Sequence, residues 1–499
     1  MLKSNVGWST KENSYEQGKE TAAKAVVDLV QTKVAFLYTS VDCNVKEVLE
    51  GAKSELGTAP IIGCTSSAGI IVPDGFISSE NGFTGILALG DPELEVGVAG
   101  SAKENSARET GRKVAKEAMK QAGKDCVPLY FYMVASPGEE EDYLKGIEDV
   151  IGRIPVFGGS AADNTVEGKW SIYANDTIFS DGVAVAFFYT KKDMANVFTG
   201  EYHETTNSGV ITKVKGKRTL VEIDGTPAIT KYAEWTGSKL KDLEEGNLLV
   251  TTITKPLGVK DRLGDLVAIR HPMYGNADKS MNIGANLAVN TAIIQMEASV
   301  NELIDSTGKT MKELNKELNQ DAGAYLLVHC GGRRLGIGDR IDEVAKQLKE
   351  ESKGVPFIAV FTFGEYGVKD HGANTTGGLM LSFTAFSKWI QGEKTQLKKD
   401  EIYKEVPTVK NLIGYEWKEA SNGAKIEVIN PATQKLIDTV PNVTEQNVEE
   451  AAKIAEIEQK KWAKTSIYER AEKLYKFVDL VEDCLLYTSD AADELDGVD

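Results

Sequence analysis

The chain has 499 residues, with 75 acidic against 57 basic side chains and a formal net charge of −18. That balance, without a strongly basic block, argues against nucleic acid and anionic membranes as partners. The polar N-terminus lacks a signal-peptide core and no apolar run reaches about 18 residues, so a cytoplasmic protein without a membrane span is expected, with room for two to four domains of about 150 residues.

Residues 13–31 place Ala22, Ala25, Val26 and Leu29 at helical spacing. Val34–Ser40 is an apolar run of strand length, and Val45–Leu56 reads as a helix stopped by Gly57. Then comes PIIGCTSSAG, Pro60–Gly69: two isoleucines run into a glycine, and small or hydroxyl-bearing residues follow. This is how a buried strand ends at a loop that a ligand can approach closely. Strands are expected at Gly82–Gly90 and Leu94–Gly100, and a helix at Ala107–Ala122.

About 95 residues on, the pattern restarts. Val127–Ala135 repeats the first strand, Glu140–Ile151 the helix, PVFGGSAADN (155–164) the Pro-led strand and loop, and Gly182–Tyr189 the closing strand. Such self-similarity indicates internal duplication. Residues 203–320 are more polar and less regular. They include a strand, an Asp-Gly turn and a helix in LVEIDGTPAITKYAEWTG, and a helix from about Val300. A third copy then appears: Ala324–Cys330, Arg340–Glu350, Val355–Gly364 and Gly378–Phe386.

From Gln391 a charged stretch without apolar period reads as a linker. Beyond it, KNLIGYEWKEA and KIEVINP alternate like a hairpin, and helices are expected at Glu445–Trp462 and Ile467–Val481. The fold class expected is therefore α/β. Layered mixed sheets would be built from repeated strand-helix-strand-strand units, with a small C-terminal hairpin-and-helices appendage. The expected divisions are 1–220 (duplicated), 221–388, a linker 389–408, 409–483, and a tail 484–499.

The chemistry is that of a pocket more than of a catalyst. The five cysteines (Cys43, Cys64, Cys126, Cys330, Cys484) are scattered, as free thiols of a reducing compartment are. The four histidines (His203, His271, His329, His371) show no metal-ligand spacing, so neither metal nor cofactor is expected. Cys64 could be a nucleophile after a strand-ending glycine. Its counterpart Gly159 cannot, which favours a small buried residue. Thr65, Ser66 and Ser67 together with Ser160, Asp163 and Asn164 suit a polar pocket at strand ends, or turn chemistry and helix capping. His329-Cys330-Gly331-Gly332-Arg333-Arg334 leaves the third copy's strand, and a guanidinium there could hold a carboxylate or phosphate. Glu365 follows FTFG, where a carboxylate would suit an amine-bearing ligand. His371 reads as a turn residue.

PIIGCTSSAG, PVFGGSAADN, SDGVAVAFF, Arg270 after LVAI, HCGGRR, and FTFGEYG followed by NTTGGLMLSF occur in order. Over residues ~30–385 the chain thereby resembles the FIST sensory family, with its N- and C-terminal domains. The resemblance implies an intracellular signal-input module that binds a small ligand, such as an amino acid. It brings no catalytic residues, and with no kinase, cyclase or methyl-accepting domain fused here, it implies a separate signalling output protein as partner. The ligand-facing residues expected are Cys64, Thr65, Ser66, Gly158, Gly159, Ser160, Asp163, Asn164, Arg270, Arg333 and Glu365. Residues 409–483 resemble the N-terminus of aldehyde dehydrogenases, through KNLIGYEWKEASNGAKIEVINPATQKLIDTVPNVTEQNVEEAAK and KWAKTSIYERAEKLYKFVDLVED. That family's catalytic cysteine, general-base glutamate and nicotinamide-binding fold lie beyond the part present. An enzyme, Cys64-dependent or a fragment of an NAD(P)-dependent aldehyde dehydrogenase, is the alternative reading. An interaction scaffold without a small ligand is a third. The final CLLYTSDAADELDGVD fits neither family.

Overall fold

The computed structural model describes residues 1–244, 246–260, 266–369, 373–390, 410–414, 416–429 and 436–465, with a few positions up to 476. His371, residues 391–408 of the expected linker, most of the helix expected at Ile467–Val481, and the tail with Cys484 lie outside them. The chain divides into two compact units, Met1–Lys394 and Thr395–Asp499.

The first unit is built from three copies of one motif. In the first copy an edge strand (Lys3–Ser9) precedes a helix (Ser14–Ala25) and a central strand (Val34–Thr39). A second helix (Val45–Leu56), a parallel strand (Ile61–Thr65), a short hairpin (Ile70–Val72 with Gly75–Ile77) and a closing strand (Thr84–Gly90) follow. The second copy repeats the order: Glu95–Ala102, Ala107–Gln121, Tyr130–Ala135, Glu140–Ile151, Val156–Ser160, the hairpin Ile172–Ala174 with Thr177–Phe179, and Gly182–Tyr189. The third begins with Lys192–Thr199 and resumes at the helix Val300–Leu318. It continues through Ala322–Cys330, Gly331–Ile337, Ile341–Ser352, Phe357–Thr362, the hairpin Glu365–Lys369 with Ala373–Gly377, and Leu381–Ile390.

Local chemistry recurs with the motif. The first helix of each copy is capped by Asn13, Ser106 or Ser299, whose side chain accepts the N–H of a glutamate three residues on. That pairing satisfies an otherwise orphaned donor at the helix start. The Pro-led strands share a second device. Pro60, Pro155 and Pro356 have no N–H to give, and each carbonyl accepts the N–H of the neighbouring strand, from Ala35, Phe131 and Tyr325, at 2.9, 3.0 and 3.0 Å.

Each copy forms a six-stranded sheet, but none is made from one copy alone. The hairpin of the second copy pairs with Ile61–Thr65 of the first, that of the third with Val156–Ser160 of the second, and that of the first with Phe357–Thr362 of the third. The exchange is cyclic and closes on itself. The three inner sheet faces meet in one core holding Phe36, Tyr132, Phe157, Phe188, Val328 and Phe386. There Tyr38 and Tyr132 share a hydrogen bond of 2.9 Å between their hydroxyls. The outer faces carry the helices, so most strands are apolar on both faces.

Between the edge strand and first helix of the third copy lies an insertion, residues 200–299. Its described residues form a nine-stranded antiparallel sheet with the α-helix Ala228–Thr236 and a short 3-10 helix, Leu240–Asp242. The predicted Asp-Gly turn is there, with φ of 51° at Asp224 and 73° at Gly225, the signature of a tight hairpin turn. Arg218 ties the insertion to the second copy by donating to both Glu140 and Glu141.

In the second unit Asn411–Ile413 pairs with Glu416–Lys418, and Lys425–Ile429 with Leu436–Pro441. The two alternating stretches thus belong to separate strand pairs, not to one. The helix Glu445–Trp462 follows, capped by Thr444 and Asn447. Among the described residues no helix is long and apolar enough to cross a membrane.

Candidate functional site

The parallel strands of the three copies end at Thr65, Ser160 and Thr362, and their loops interlock. Ala162 N–H donates to Thr65 O (3.0 Å), Ser67 N–H to Phe361 O (2.9 Å), and Phe363 N–H to Ser160 O (3.2 Å). The bonds repeat the cyclic order of the hairpins, so backbone from all three copies converges at one end of the core.

A cavity of about 220 Å³ opens at this junction. Ser67 and Ala68 come from the first copy, Asn164 and Val166 from the second, Cys330, Arg334, Leu335 and Phe363 from the third, and Leu249, His271 and Met273 from the insertion. Two of its residues hold left-handed backbone despite their side chains: Ala68 (φ 58°) and Val166 (φ 60°). Leu379 (φ 57°) follows the lining residue Gly378. Such conformations persist only where the surroundings impose them, and here each copy supplies one. Each strained N–H has a side-chain acceptor. Asn164 Oδ1 takes Ala68 N–H (2.8 Å), Cys330 Sγ takes Leu379 N–H (3.2 Å), and Asp163 takes the N–H groups of Val166, Thr165, Glu167 and Lys169.

Of the residues set out as ligand-facing, Asn164 lines the cavity; Ser67, placed with the same polar loops, and Arg334 of HCGGRR line it too. Asp163 lies behind it as the anchor of the Val166 loop. Thr65 and Ser66 are buried in loop hydrogen bonds, to Ser171 and to Gly69 and Phe361. Ser160 bonds Glu140 (3.0 Å) and Tyr366 (2.7 Å). Gly158 and Gly159 give close backbone contacts, where an added Cβ would lie 2.0 Å from Met133 O and 2.6 Å from Gly364 O. Cys64 is fully buried in its strand, away from the cavity, and burial pushes its thiol well up. Arg270 donates to the carbonyls of Asn286, Ile269 and Thr376, with burial lowering it to about 10. Arg333 is buried against carbonyl oxygens, whereas its neighbour Arg334 reaches the cavity.

Glu365 does not line the cavity either. Its carboxyl accepts from Thr362 Oγ1 (2.9 Å) and Met380 N–H (2.9 Å), and burial raises it to about 8. The unfolded carboxyl titrates near 4.5, so the folded chain keeps a proton that the unfolded chain releases. Stability from this group is therefore full below about pH 4.5 and is lost as pH rises through about 8. Glu365→Gln is expected to raise the melting temperature above wild type at pH 8 and not at pH 5. An equal effect at both would contradict a protonated Glu365. The buried histidines act with the opposite sign. Burial lowers His271 to about 4 and His329 to about 3 from 6.5, so their contribution is present above about pH 6.5 and lost on acidification.

Sequence reasoning missed His271, Leu249 and Met273. They come from the irregular insertion, and no motif marks them. His271 Nε2 lies 2.9 Å from the backbone carbonyl oxygen of Leu249. Cys330 lies in the cavity wall, but burial pushes its thiol up, with the Glu365 carboxyl adding to the effect. Among the described residues no cluster of side chains could hold a metal ion.

Residues 33–226 match the FIST N domain, 228–368 the FIST C domain, and 417–486 the aldehyde dehydrogenase family. The chain is 38% identical over 68 residues to an NADP-dependent glyceraldehyde-3-phosphate dehydrogenase of Arabidopsis thaliana, covering 14% of each. It is 37% identical over 83 residues to malonate-semialdehyde dehydrogenase 1 of Bacillus thuringiensis (strain Al Hakam), covering 16% of this chain and 17% of that one. The chain thus spans only 14% and 17% of the length of these two curated relatives. Among solved structures, cyanuric acid hydrolase from A. caulinodans aligns with 78% of this chain and 100% of its own at 10% identity and TM-score 0.30. PurLQS from Thermotoga maritima aligns with 77% of this chain and 72% of its own at 10% identity and TM-score 0.20. Likenesses this weak do not establish a shared fold. The two consecutive domain matches do establish membership: the chain belongs to the FIST family, with its FIST N domain at residues 33–226 and its FIST C domain at 228–368.

Proposed function

We propose that the first unit is a sensory module that binds one small organic ligand, of amino-acid size, in the cavity at the junction of the three copies. The observation that carries this reading is the cavity itself: every copy and the insertion contribute to its wall. At about 220 Å³ it is below the usual range for drug-sized ligands, about 300–1,000 Å³, and suits a small metabolite. The wall is mainly apolar, with Asn164, His271 and Arg334 as its polar groups of larger reach.

A ligand there would touch the insertion and all three copies at once. It would shift any equilibrium between arrangements of these parts by its difference in affinity for them. A separate output protein would read the result. Cys43, Cys64, Cys126 and Cys330 are free, which suits a cytoplasmic setting.

The test is a thermal-shift screen of the full chain against amino acids, short carboxylic acids, amides and sugars. At about 100 times its dissociation constant a ligand should add about 2.7 kcal/mol of stability. Gly284→Leu should abolish the shift. Gly284 lines the cavity, and its nearest obstacles are the flexible Met273 Sδ at 3.3 Å and His271 O at 3.8 Å, so the variant should fold. A screen without a hit, or a shift that survives Gly284→Leu, would overturn the reading.

A further inference from the structure

Arg334 is the one charged side chain among the described residues that line the cavity, and no carboxylate lines it. His271 is neutral near pH 7, because burial lowers it to about 4. The rest of the wall includes Val166, Leu249, Met273, Leu335 and Phe363.

The guanidinium is held but not saturated. One Nη1–H donates to Gly338 O at 2.9 Å, and the Phe76 ring lies 4.8 Å beneath Cζ. Its Nε is buried with no acceptor among the described residues. A guanidinium offers five N–H donors in a planar fork that matches a carboxylate. A carboxylate in the cavity would meet the terminal N–H groups of this fork and form a charge-assisted pair.

Charge decides the class. Arg334 is the cation of the described lining, and Asp339 and Asp342 already act on it from outside that lining, so a phosphate dianion would be under-compensated. A zwitterionic amino acid would bring an ammonium group to a wall with no carboxylate to receive it, and a buried unpaired charge is costly. The carboxyl groups near the site are engaged: Asp163 accepts the N–H groups of the Val166 loop, and Glu365 accepts from Thr362 Oγ1 and Met380 N–H.

Resting on the cavity reading above, we infer that the ligand is a small apolar monocarboxylate of about four to six carbons, anchored by Arg334, with its chain against the apolar wall. A neutral or amine-bearing analogue of the same shape binds more weakly.

The test compares three matched probes on the full chain by calorimetry at pH 7.5: 4-methylpentanoate, 4-methylpentanamide and leucine. The carboxylate is expected to bind about ten- to a hundredfold tighter than the other two. Arg334→Gln should erase that preference by weakening the carboxylate while leaving the amide unchanged. Equal or tighter binding of the amide or of leucine overturns the class, and so does a preference that survives Arg334→Gln. If Gly284→Leu blocks whichever probe binds, the cavity reading stands while the class falls. If none of the three binds, the class falls, and the cavity reading is then judged by the broader screen. The wild-type comparison needs no variant to fold.

Discussion

Arg333→Lys is expected to destabilise the first unit by about 3–5 kcal/mol, seen as a large drop in the urea midpoint. Arg333 is fully buried, and its charge is met by polar oxygens. Nη1 donates to Gly200 O (2.8 Å) and Leu379 O (3.3 Å). Nη2 donates to Leu303 O (3.0 Å) and to Ser306 Oγ. These acceptors lie at the entry to the insertion, on the helix Val300–Leu318, and on the strained turn behind the cavity. A planar fork spans them, whereas a lysine ammonium is a single point on a flexible stem. The substitution therefore keeps a buried charge and strands several carbonyls. Arg334→Lys, one residue on, should cost only about 1 kcal/mol, since Arg334 makes one such bond and is partly exposed. Similar costs for the two variants would contradict this division of labour.

Gly158→Ala should be the second severe change, at about 3 kcal/mol or more. The residue has φ 136°, and an ideal Cβ would lie 2.0 Å from Met133 O, a backbone atom of the adjacent parallel strand. Neither the strain nor the clash can relax without opening the ladder that holds Ser160. Gly57→Ala is the matched control. Gly57 also has positive φ, 61°, but nothing lies within 4 Å of its added Cβ, so only backbone strain of about 1–2 kcal/mol is expected. Chemical denaturation of both variants checks the pair. A mild Gly158→Ala would mean that the strand end is less constrained than its geometry implies.

The repeated motif was legible because its signals are local. Apolar runs, helix stops and Pro-led strands recur at fixed order, and Val45–Leu56, Glu140–Ile151 and Gly182–Tyr189 stand where their patterns placed them. The short hairpins were not legible. Their strands have three to five residues, and they pair with a different copy, so no periodicity within one segment announces them. The edge strand Lys3–Ser9 escaped for a related reason: it is mostly half-exposed, without apolar alternation.

The candidate site was legible in its location and not in its members. The loops after Gly63 and Gly158 do meet a cavity, but most of their polar side chains are spent holding the loops. The HCGGRR stretch shows why single residues mislead. It leaves the third copy's strand as a helix, Gly331–Ile337, so Arg333 and Arg334 project about 100° apart, one into the core and one to the cavity. Glu365 begins a strand paired with Gly159, which turns its carboxyl toward Met380. Cys64 is part of a buried strand, as its absence from the second copy suggested.

The most direct measurement is a crystal structure of the full chain soaked with 4-methylpentanoate. Electron density should appear among Ser67, Asn164, His271 and Phe363, with the carboxylate within hydrogen-bond distance of the Arg334 guanidinium. Saturating 4-methylpentanoate that leaves this cavity empty would contradict the monocarboxylate class, and a ligand from the thermal-shift screen that binds elsewhere would contradict a sensory site at the junction of the three copies.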